Sequence, residues 1–285
     1  MSPHTAAWEL RRYAAGKIDR RELLARLNRL LGGYAGTQLF LESSGAAAQV
    51  VAPQEAQKMG VDSDTVRYPG EGTEIEAYLA RPRRPGRQPA VLVIHENRGL
   101  NEHTREVARR FAAEGFVSLA PDALSRKGGA ASMESPDKAR EAIGTLTPAE
   151  ILADLKAGFR YLQALPGVDP RRISSVGFCW GGARSFHLAV ETPVLHRAVV
   201  FYGSPPPENR LASIQCPVLG LYGEKDERIT STVTATAEAL KKLGKKYTYK
   251  IYAGADHAFF NDTGPRYDAA VSKDAWARAL EFLRG

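Results

Sequence analysis

The residues with the clearest chemical potential are a cysteine, an aspartate and a histidine, in that order along the chain. Cys179 stands in the segment GFCWGG (177–182), which follows an apolar run and precedes a segment with helical spacing. Asp226 and His257 each come shortly after a later apolar run. Such a trio can perform nucleophilic catalysis, because the carboxylate orients the imidazole and the imidazole moves the proton of the thiol.

The glycines around Cys179 predict a nucleophile elbow, a sharp turn between a strand and a helix. Gly177 and Gly181 lack side chains that would collide where the strand and the helix cross. The backbone N–H of Trp180 would then serve as one half of an oxyanion hole, and the helix N-terminus would favour thiolate over thiol. Taken alone, the motif is equally compatible with a structural cysteine, since free cysteine often packs as a small core hydrophobe.

The order of the three residues favours the catalytic interpretation. In α/β-hydrolases the nucleophile is followed by the acid and then by the base. Asp226 and His257 satisfy this order together, and each falls in a loop after a predicted strand. The alternatives are that Asp226 only caps the next helix and that His257 is a partly buried loop histidine. Glu224 is a weaker candidate for the acid.

A polar loop earlier in the chain adds two further candidates. It reads HENRGL (95–100) and follows an apolar run. In this fold the corresponding loop supplies the second oxyanion donor, for which we expect the backbone N–H of Asn97. Glu96 would lie close to Cys179, where a carboxylate can accept the thiol proton or hold the thiol un-ionised.

Other interpretations of these polar residues lead away from the triad. Glu96 could instead form a buried ion pair with Arg98 or Arg105. His95 precedes the nucleophile and does not fit the position of the base. No two histidines have the i, i+4 spacing with a glutamate that a zinc-hydrolase helix requires. We therefore expect neither a metal nor a cofactor.

Strands that alternate with helices must position these loops. The pattern predicts an α/β fold with a mostly parallel central sheet and helices on both faces. A Gly-, Ser- and Lys-rich excursion at 123–147 is expected to cover the active site. The strands are expected at 76–80, 90–94, 115–120, 172–177, 197–202, 217–222 and 246–252, and the helices at 102–114, 148–165, 181–190, 229–243 and 267–283.

Composition narrows the class of protein. The chain has 285 residues, of which 44% are hydrophobic and 25% charged, as in an ordinary globular protein. Its net charge of +7 is dispersed without a basic stripe, so we expect no nucleic-acid partner. The two cysteines form no CxxC motif, and Cys216 is expected to be a packing residue. No apolar run reaches the ~18–20 residues of a membrane helix.

The first 60 residues are expected to form a helical extension before an α/β-hydrolase domain at 61–285. The segment DRRELL (19–24) resembles a twin-arginine signal, which would imply export to the periplasm. Arg26, Arg29 and Glu42 interrupt the apolar stretch of such a signal, so we predict a retained segment and a cytoplasmic protein. The leucines with helical spacing are Leu23, Leu24, Leu27, Leu30 and Leu31.

Four spaced motifs together resemble those of the dienelactone hydrolase (carboxymethylenebutenolidase-like) family. They are the HENRGL loop, the GFCWGG elbow, the later aspartate and the segment DHAF (256–259), and the similarity runs from about residue 65 to the C-terminus. The resemblance implies a triad of Cys179, Asp226 and His257. It also implies that Glu96 interacts with the resting thiol and helps to activate it when substrate binds.

The chain departs from the family pattern in two places. The well-studied dienelactone enzymes carry an arginine shortly after the histidine, which holds the substrate carboxylate. Here the segment FFNDT (259–263) contains none, and the next arginine is Arg266. The first ~60 residues resemble a longer branch of the family. We expect Arg98 or Arg266 to bind an anionic group, and Phe259 and Tyr267 to form an apolar pocket wall.

These observations predict a carboxylic-ester hydrolase that cleaves an ester or lactone through a thioester on Cys179. A broad-specificity carboxylesterase with a different ester substrate is the nearest alternative. A non-catalytic scaffold, acting as a thiol sensor or through partner binding by residues 1–60, is a third. The expected partner is a small-molecule substrate, and the expected state is a monomer or a small homo-oligomer.

Overall fold

The computed structural model describes residues 3–14, 20–33, 36–37, 40 and 60–285. Residues 60–285 form one eight-stranded sheet with the strand order β1-β2-β4-β3-β5-β6-β7-β8. The strands are β1 (Val61–Pro69), β2 (Glu74–Pro82), β3 (Gln88–Ile94), β4 (Val117–Pro121), β5 (Val168–Phe178), β6 (Ala198–Phe201), β7 (Val218–Gly223) and β8 (Tyr247–Tyr252). The helices of the described chain are α1 (Pro3–Ala14), α2 (Arg20–Leu30), α3 (Glu102–Ala113), α4 (Pro136–Gly144), α5 (Pro148–Ala164), α6 (Trp180–Glu191), α7 (Glu227–Lys242) and α8 (Ala269–Arg284).

The sheet is parallel over most of its width. β1 and β2 form an antiparallel pair, β2 runs antiparallel to β4, and every pair from β4 to β8 is parallel. Parallel neighbours need long crossovers, which the helices supply. The carboxyl ends of β3, β5, β6, β7 and β8 therefore lie at one edge. This arrangement confirms the predicted α/β-hydrolase fold.

The core lies on both faces of the sheet, as the apolar run in β3 predicts. Successive side chains of a strand point to opposite faces. Leu92 accordingly belongs to the cluster under α5, α6 and α7, whereas Val91 and Val93 belong to the cluster under α3 and α8. All three side chains are fully buried.

Two elements were missing from the sequence-based expectation. β1 has mostly exposed or half-buried side chains, so its strand character comes from its pairing with β2 along its whole length. α4 lies within the excursion at 123–147 and begins at Pro136, with Ser135 accepting a hydrogen bond from the Lys138 N–H. The excursion packs against Trp180 through Leu124 and Ile143.

The described part of the N-terminal extension is a pair of helices with a small core of its own. Ala6 and Tyr13 of α1 pack against the predicted leucine stripe of α2, in which Leu23, Leu24 and Leu27 are buried. Residues 15–19 and 41–59 lie outside the described residues, and with them the start of the twin-arginine-like segment and Glu42. No helix in the described ranges has the length and apolar character needed to cross a membrane.

Candidate active site

The turn between β5 and α6 is a nucleophile elbow. Cys179 occupies it with φ 56° and ψ −115°. A Cβ on Gly177 would lie 1.9 Å from the carbonyl oxygen of Gly181, and a Cβ on Gly181 would lie 2.3 Å from that of Ile94. Because these neighbours are backbone atoms, no side chain fits at either glycine. The two glycines thus allow the strand and the helix to cross closely, with Cys179 at the sharp turn between them.

Backbone strain is concentrated around this elbow. Among the described residues, the non-glycine residues with positive φ are Cys179, Tyr202 and Ala258. Tyr202 directly follows β6, and Ala258 directly follows His257. Such conformations cost about 1–3 kcal/mol each and persist where the surroundings impose them, most often at functional sites. Their positions mark the same edge of the sheet as the candidate triad.

Asp226 and His257 form a hydrogen-bonded pair beside the elbow. Asp226 begins α7 as its N-cap residue, but its side chain makes no capping bond. Its Oδ2 instead accepts a hydrogen bond from Nδ1 of His257. Both side chains are largely buried, which shields this bond from solvent. The structure thus places Asp226 on the imidazole, where an orienting acid belongs.

The imidazole of His257 also interacts with Cys179. With Nδ1 engaged by Asp226, the remaining ring nitrogen, Nε2, is the one that can face the thiol. Burial alone would lower the pKa of His257. The interactions with Asp226 and Cys179 outweigh burial and raise this pKa to about 9. The three residues expected from the sequence order are therefore brought together.

The carboxylate of Glu96 is held by two hydrogen-bond donors. Its Oε2 accepts a hydrogen bond of 2.9 Å from Asn261 Nδ2, and its Oε1 lies 3.4 Å from the Tyr202 hydroxyl. Burial, followed by the nearby charges of Glu96 and Cys179, raises the pKa of Tyr202 well above its ordinary value. Glu96 and Cys179 therefore face the same buried phenol.

Asn261 and Tyr202 were not identified from the sequence. The side-chain oxygen of Asn261 accepts bonds from the Thr263 N–H (3.0 Å) and hydroxyl (2.6 Å), which turns its amide nitrogen toward Glu96. Asn261 lies in the segment where the family pattern led us to look for an arginine. The missing arginine could have pointed to Asn261 as a site residue. The signal for Tyr202 was its position directly after an apolar strand.

The two expected oxyanion donors lie at the N-terminus of α6 and in the loop after β3. Trp180 is the first residue of α6, so its N–H has no acceptor within the helix. Asn97 lies in the turn after β3, and its N–H donates to no other backbone group in the described chain. The close approach of Gly181 to the carbonyls of Ile94 and His95 brings the start of α6 against the loop after β3.

His95 is a structural residue at this junction. Its Nε2 accepts a hydrogen bond from the Ala123 N–H (3.1 Å), so Nδ1 carries the proton and donates to the Glu96 carbonyl (2.5 Å). Burial lowers the pKa of His95, which keeps the ring neutral. The ring also stacks on Trp180, with centroids 5.4 Å apart. His95 thus connects the HENRGL loop, the elbow and the covering excursion.

Phe259 does not form a pocket wall, contrary to the expectation from the sequence. Its side chain is fully buried and packs against Tyr252, Phe201 and Tyr202. The main chain turns after His257, so that Phe259 points into the face of the sheet. It supports Tyr202 from behind and contributes to the core.

The remaining candidate substrate residues lie nearer the surface. Arg266 is half-exposed, with Nη1 3.9 Å from Asp256, and its charge acts to lower the pKa of Tyr202. Arg98 and Tyr267 are half-buried, in the HENRGL loop and in the segment before α8. Their positions leave both arginines as candidates for an anionic group.

Two alternatives raised by the sequence have structural roles. Glu224 accepts a hydrogen bond of 2.8 Å from the Gly254 N–H and ties two loops together, away from the imidazole. Cys216 is 5% exposed, and burial raises its pKa to about 12. Within the described ranges, no group of three or more His, Cys, Asp or Glu side chains could hold a metal ion.

Known proteins share this fold and much of this sequence. A sequence model described as "Dienelactone hydrolase family" matches residues 75–285. A protein of Methylorubrum extorquens with the provisional name carboxymethylenebutenolidase is 31% identical over 279 residues, which cover 94% of this chain and 93% of that protein. A crystal structure provisionally named dienelactone hydrolase, from Klebsiella pneumoniae, is 33% identical with a TM-score of 0.73, over 79% of this chain and 98% of that one.

A further solved structure is a dienelactone hydrolase-like promiscuous phosphotriesterase from metagenomic libraries. It is 25% identical with a TM-score of 0.68, over 79% of this chain and 98% of that one. The family match covers well over half of the chain, and it includes every residue of the site described above. The chain therefore belongs to the dienelactone hydrolase family and is a carboxylic-ester hydrolase.

Proposed function

We propose that this enzyme hydrolyses an ester or lactone through a thioester acyl-enzyme on Cys179. The observation that carries the proposal is the environment of this thiol. Cys179 has the strained backbone of an elbow and interacts with His257, whose Nδ1 is held by the buried carboxylate of Asp226. A thiol with a positioned base, and a base with an orienting acid, is the arrangement needed for nucleophilic catalysis.

In the acylation half-reaction, His257 takes the thiol proton and Sγ of Cys179 attacks the carbonyl carbon. The oxyanion that forms accepts hydrogen bonds from the N–H groups of Trp180 and Asn97. The carbon–oxygen bond to the leaving group then breaks, and the imidazolium of His257 protonates the departing alkoxide. The raised pKa of His257 favours this step, because the imidazole retains the proton until the alkoxide needs it.

Deacylation uses the same groups in the reverse order. Neutral His257 takes a proton from water, and the resulting hydroxide attacks the thioester carbonyl. The thiolate of Cys179 leaves and takes back the proton from the imidazolium of His257, and the product acid departs as a carboxylate after it releases its proton to solvent. Glu96 is fixed by Asn261 and is suited to keep the resting thiol un-ionised before substrate binds.

The substrate we favour is an ester or lactone that needs no arginine next to the histidine. Asn261 occupies that segment, and its neutral amide is already engaged by Glu96. A broad carboxylesterase is the second candidate, and this same contact supports it. Hydrolysis rates on neutral lactones and on neutral open-chain aryl esters of similar size would separate the two. A lactone that reacts faster than the aryl esters would favour the first candidate, and similar rates on many aryl esters would favour the second.

The test of the mechanism is to trap the acyl-enzyme. Wild-type protein mixed with an aryl ester and quenched in acid should carry one acyl group, located by peptide mass spectrometry on Cys179. Cys179→Ala should lose the adduct and lower the hydrolysis rate by about 10³-fold or more. Cys216→Ala is the matched control and should keep both. Unchanged turnover in Cys179→Ala would contradict the thioester mechanism.

A further inference from the structure

A cavity of about 300 Å³ lies between α5, α6 and the segment 206–210. Cys179, Asp226 and His257 are not among the residues that line it. Most of its wall is apolar. The apolar side chains include Ile151, Leu152, Leu155, Val190, Pro206 and Pro207.

The polar side chains of this cavity leave one positive charge without a counter-ion. Glu191 is paired with Arg210 and lies 3.6 Å from Lys156 Nζ, so its charge is compensated. Burial lowers the pKa of His187, and the charge of Arg184 lowers it further, so this ring is neutral at pH 7. The unmatched charge belongs to Arg184.

Arg184 pairs with no carboxylate among the described residues. Its Nε is buried and has no hydrogen-bond partner there. Burial lowers its pKa, and no neighbouring acid acts in the opposite direction. Its described contact is with an aromatic ring, since the guanidinium carbon lies 5.2 Å from the ring centroid of Trp180. A partly buried guanidinium of this kind is stabilised when an anion joins it.

We propose that the cavity binds a small organic carboxylate, with the carboxylate on Arg184 and an aromatic or branched aliphatic body against the apolar wall. A guanidinium offers parallel N–H donors that match a carboxylate. The cavity is of the size at which small-molecule sites begin. Inorganic anions fit less well, because they would leave the apolar wall unfilled. This site is additional to the ester-hydrolysis site.

Trp180 connects the proposed ligand site to the nucleophile. Arg184 lies five residues after Cys179 on α6, which is about 8 Å along the helix axis. Trp180 follows Cys179 directly and contacts the guanidinium. Binding of a carboxylate to Arg184 should therefore change the fluorescence of Trp180.

Titration calorimetry of the full chain with benzoate, and with neutral benzamide of the same shape, tests the proposal. Benzoate should bind in a saturable manner and at least about 10-fold more tightly than benzamide. Arg184→Met should weaken benzoate binding about 10-fold and leave benzamide unchanged. Arg160→Met, which removes an exposed arginine of α5 outside the cavity, is the matched control and should bind like wild type.

A second variant tests the cavity without changing its charge. Ala149 is exposed at the rim, so Ala149→Phe should fill the cavity while the protein still folds. Benzoate binding should be lost, whereas Ala235→Phe, at an exposed position of α7, should bind normally. Cys179→Ala should bind benzoate like wild type. Equal binding of benzoate and benzamide, wild-type binding in the folded Arg184→Met and Ala149→Phe variants, or loss of binding in Cys179→Ala would overturn the proposal.

Discussion

The two cysteines of this chain lie at opposite ends of parallel strands, and their environments are correspondingly different. Cys179 follows the carboxyl end of β5; it is half-buried, has a strained backbone and interacts with His257. Cys216 precedes the amino end of β7, where burial raises its pKa to about 12. In a parallel sheet, loops and helix N-termini meet at the carboxyl ends. Both residues are cysteines, so their reactivity depends on whether the thiol lies at the carboxyl or the amino end of its strand.

The largest expected effect comes from removing the charge that distinguishes the surroundings of Cys179. Asp226→Asn should lower kcat by about 10³–10⁴-fold, because the amide cannot stabilise the imidazolium of His257. The carboxylate helps to raise the pKa of His257 to about 9, so its loss should also move the alkaline limb of the pH–rate profile to lower pH. Kinetics on an aryl ester measure both. Glu224→Gln is the control, and an alkaline limb that stays in place would show that another group sets it.

The next effect concerns the elbow itself. Gly181→Ala would place a Cβ 2.3 Å from the Ile94 carbonyl oxygen and 2.4 Å from that of His95. The backbone must then move, and we expect the free energy of unfolding to fall by about 3 kcal/mol. Urea denaturation measures this change. Gly144→Ala in α4 meets nothing within 4 Å and should be neutral or slightly stabilising. Equal stability of both variants would mean that the elbow tolerates a side chain.

A third prediction compares the two thiols directly. Iodoacetamide should label Cys179 at least about 10²-fold faster than Cys216 in the native protein, because Cys216 is buried and its raised pKa keeps it protonated. Peptide mass spectrometry over time measures both rates. In denaturant the two rates should converge, and Cys179→Ala isolates the signal of Cys216. Comparable labelling rates of Cys179 and Cys216 in the native protein would show that the two ends of the sheet do not differ in thiol reactivity.

The smallest effect is expected at the residue that holds Glu96. Asn261→Ala removes the 2.9 Å hydrogen bond to this carboxylate, and we expect kcat/KM to fall about 10-fold while the fold is kept. Thr263→Val should have a weaker effect in the same direction, since it releases only the orientation of the Asn261 amide. Steady-state kinetics and thermal unfolding measure the two properties separately. Wild-type kcat/KM in Asn261→Ala would show that Glu96 needs no such support.

Local sequence signals were sufficient for the framework and the elbow. The parallel strands lie within a few residues of the apolar runs that predicted them, because a strand buried on both faces needs uninterrupted apolar residues. The elbow was equally accessible, because its glycines are required by the crossing of two adjacent elements. Both kinds of signal depend on neighbours in the sequence.

The parts that were missed or wrong depend on contacts between distant segments. β1 is a strand because it pairs with β2, and the pattern of its own side chains does not predict this pairing. Tyr202 and Asn261 become site residues only when β6 and the turn after β8 meet the HENRGL loop. Phe259 was assigned to the pocket because it is close to His257 in sequence. The direction in which its side chain points is set by the turn and not by that proximity.

The neutral ring of His95 sets a limit on the acidity that this architecture tolerates. Because burial lowers its pKa below that of an unfolded histidine, its contribution to stability is present above about pH 6.5 and is lost as the pH falls through its folded value. Protonation would add a hydrogen to Nε2, which now accepts from the Ala123 N–H. We therefore expect acid to detach the excursion from the elbow before the sheet unfolds. Tryptophan fluorescence should then change at a higher pH than far-UV circular dichroism.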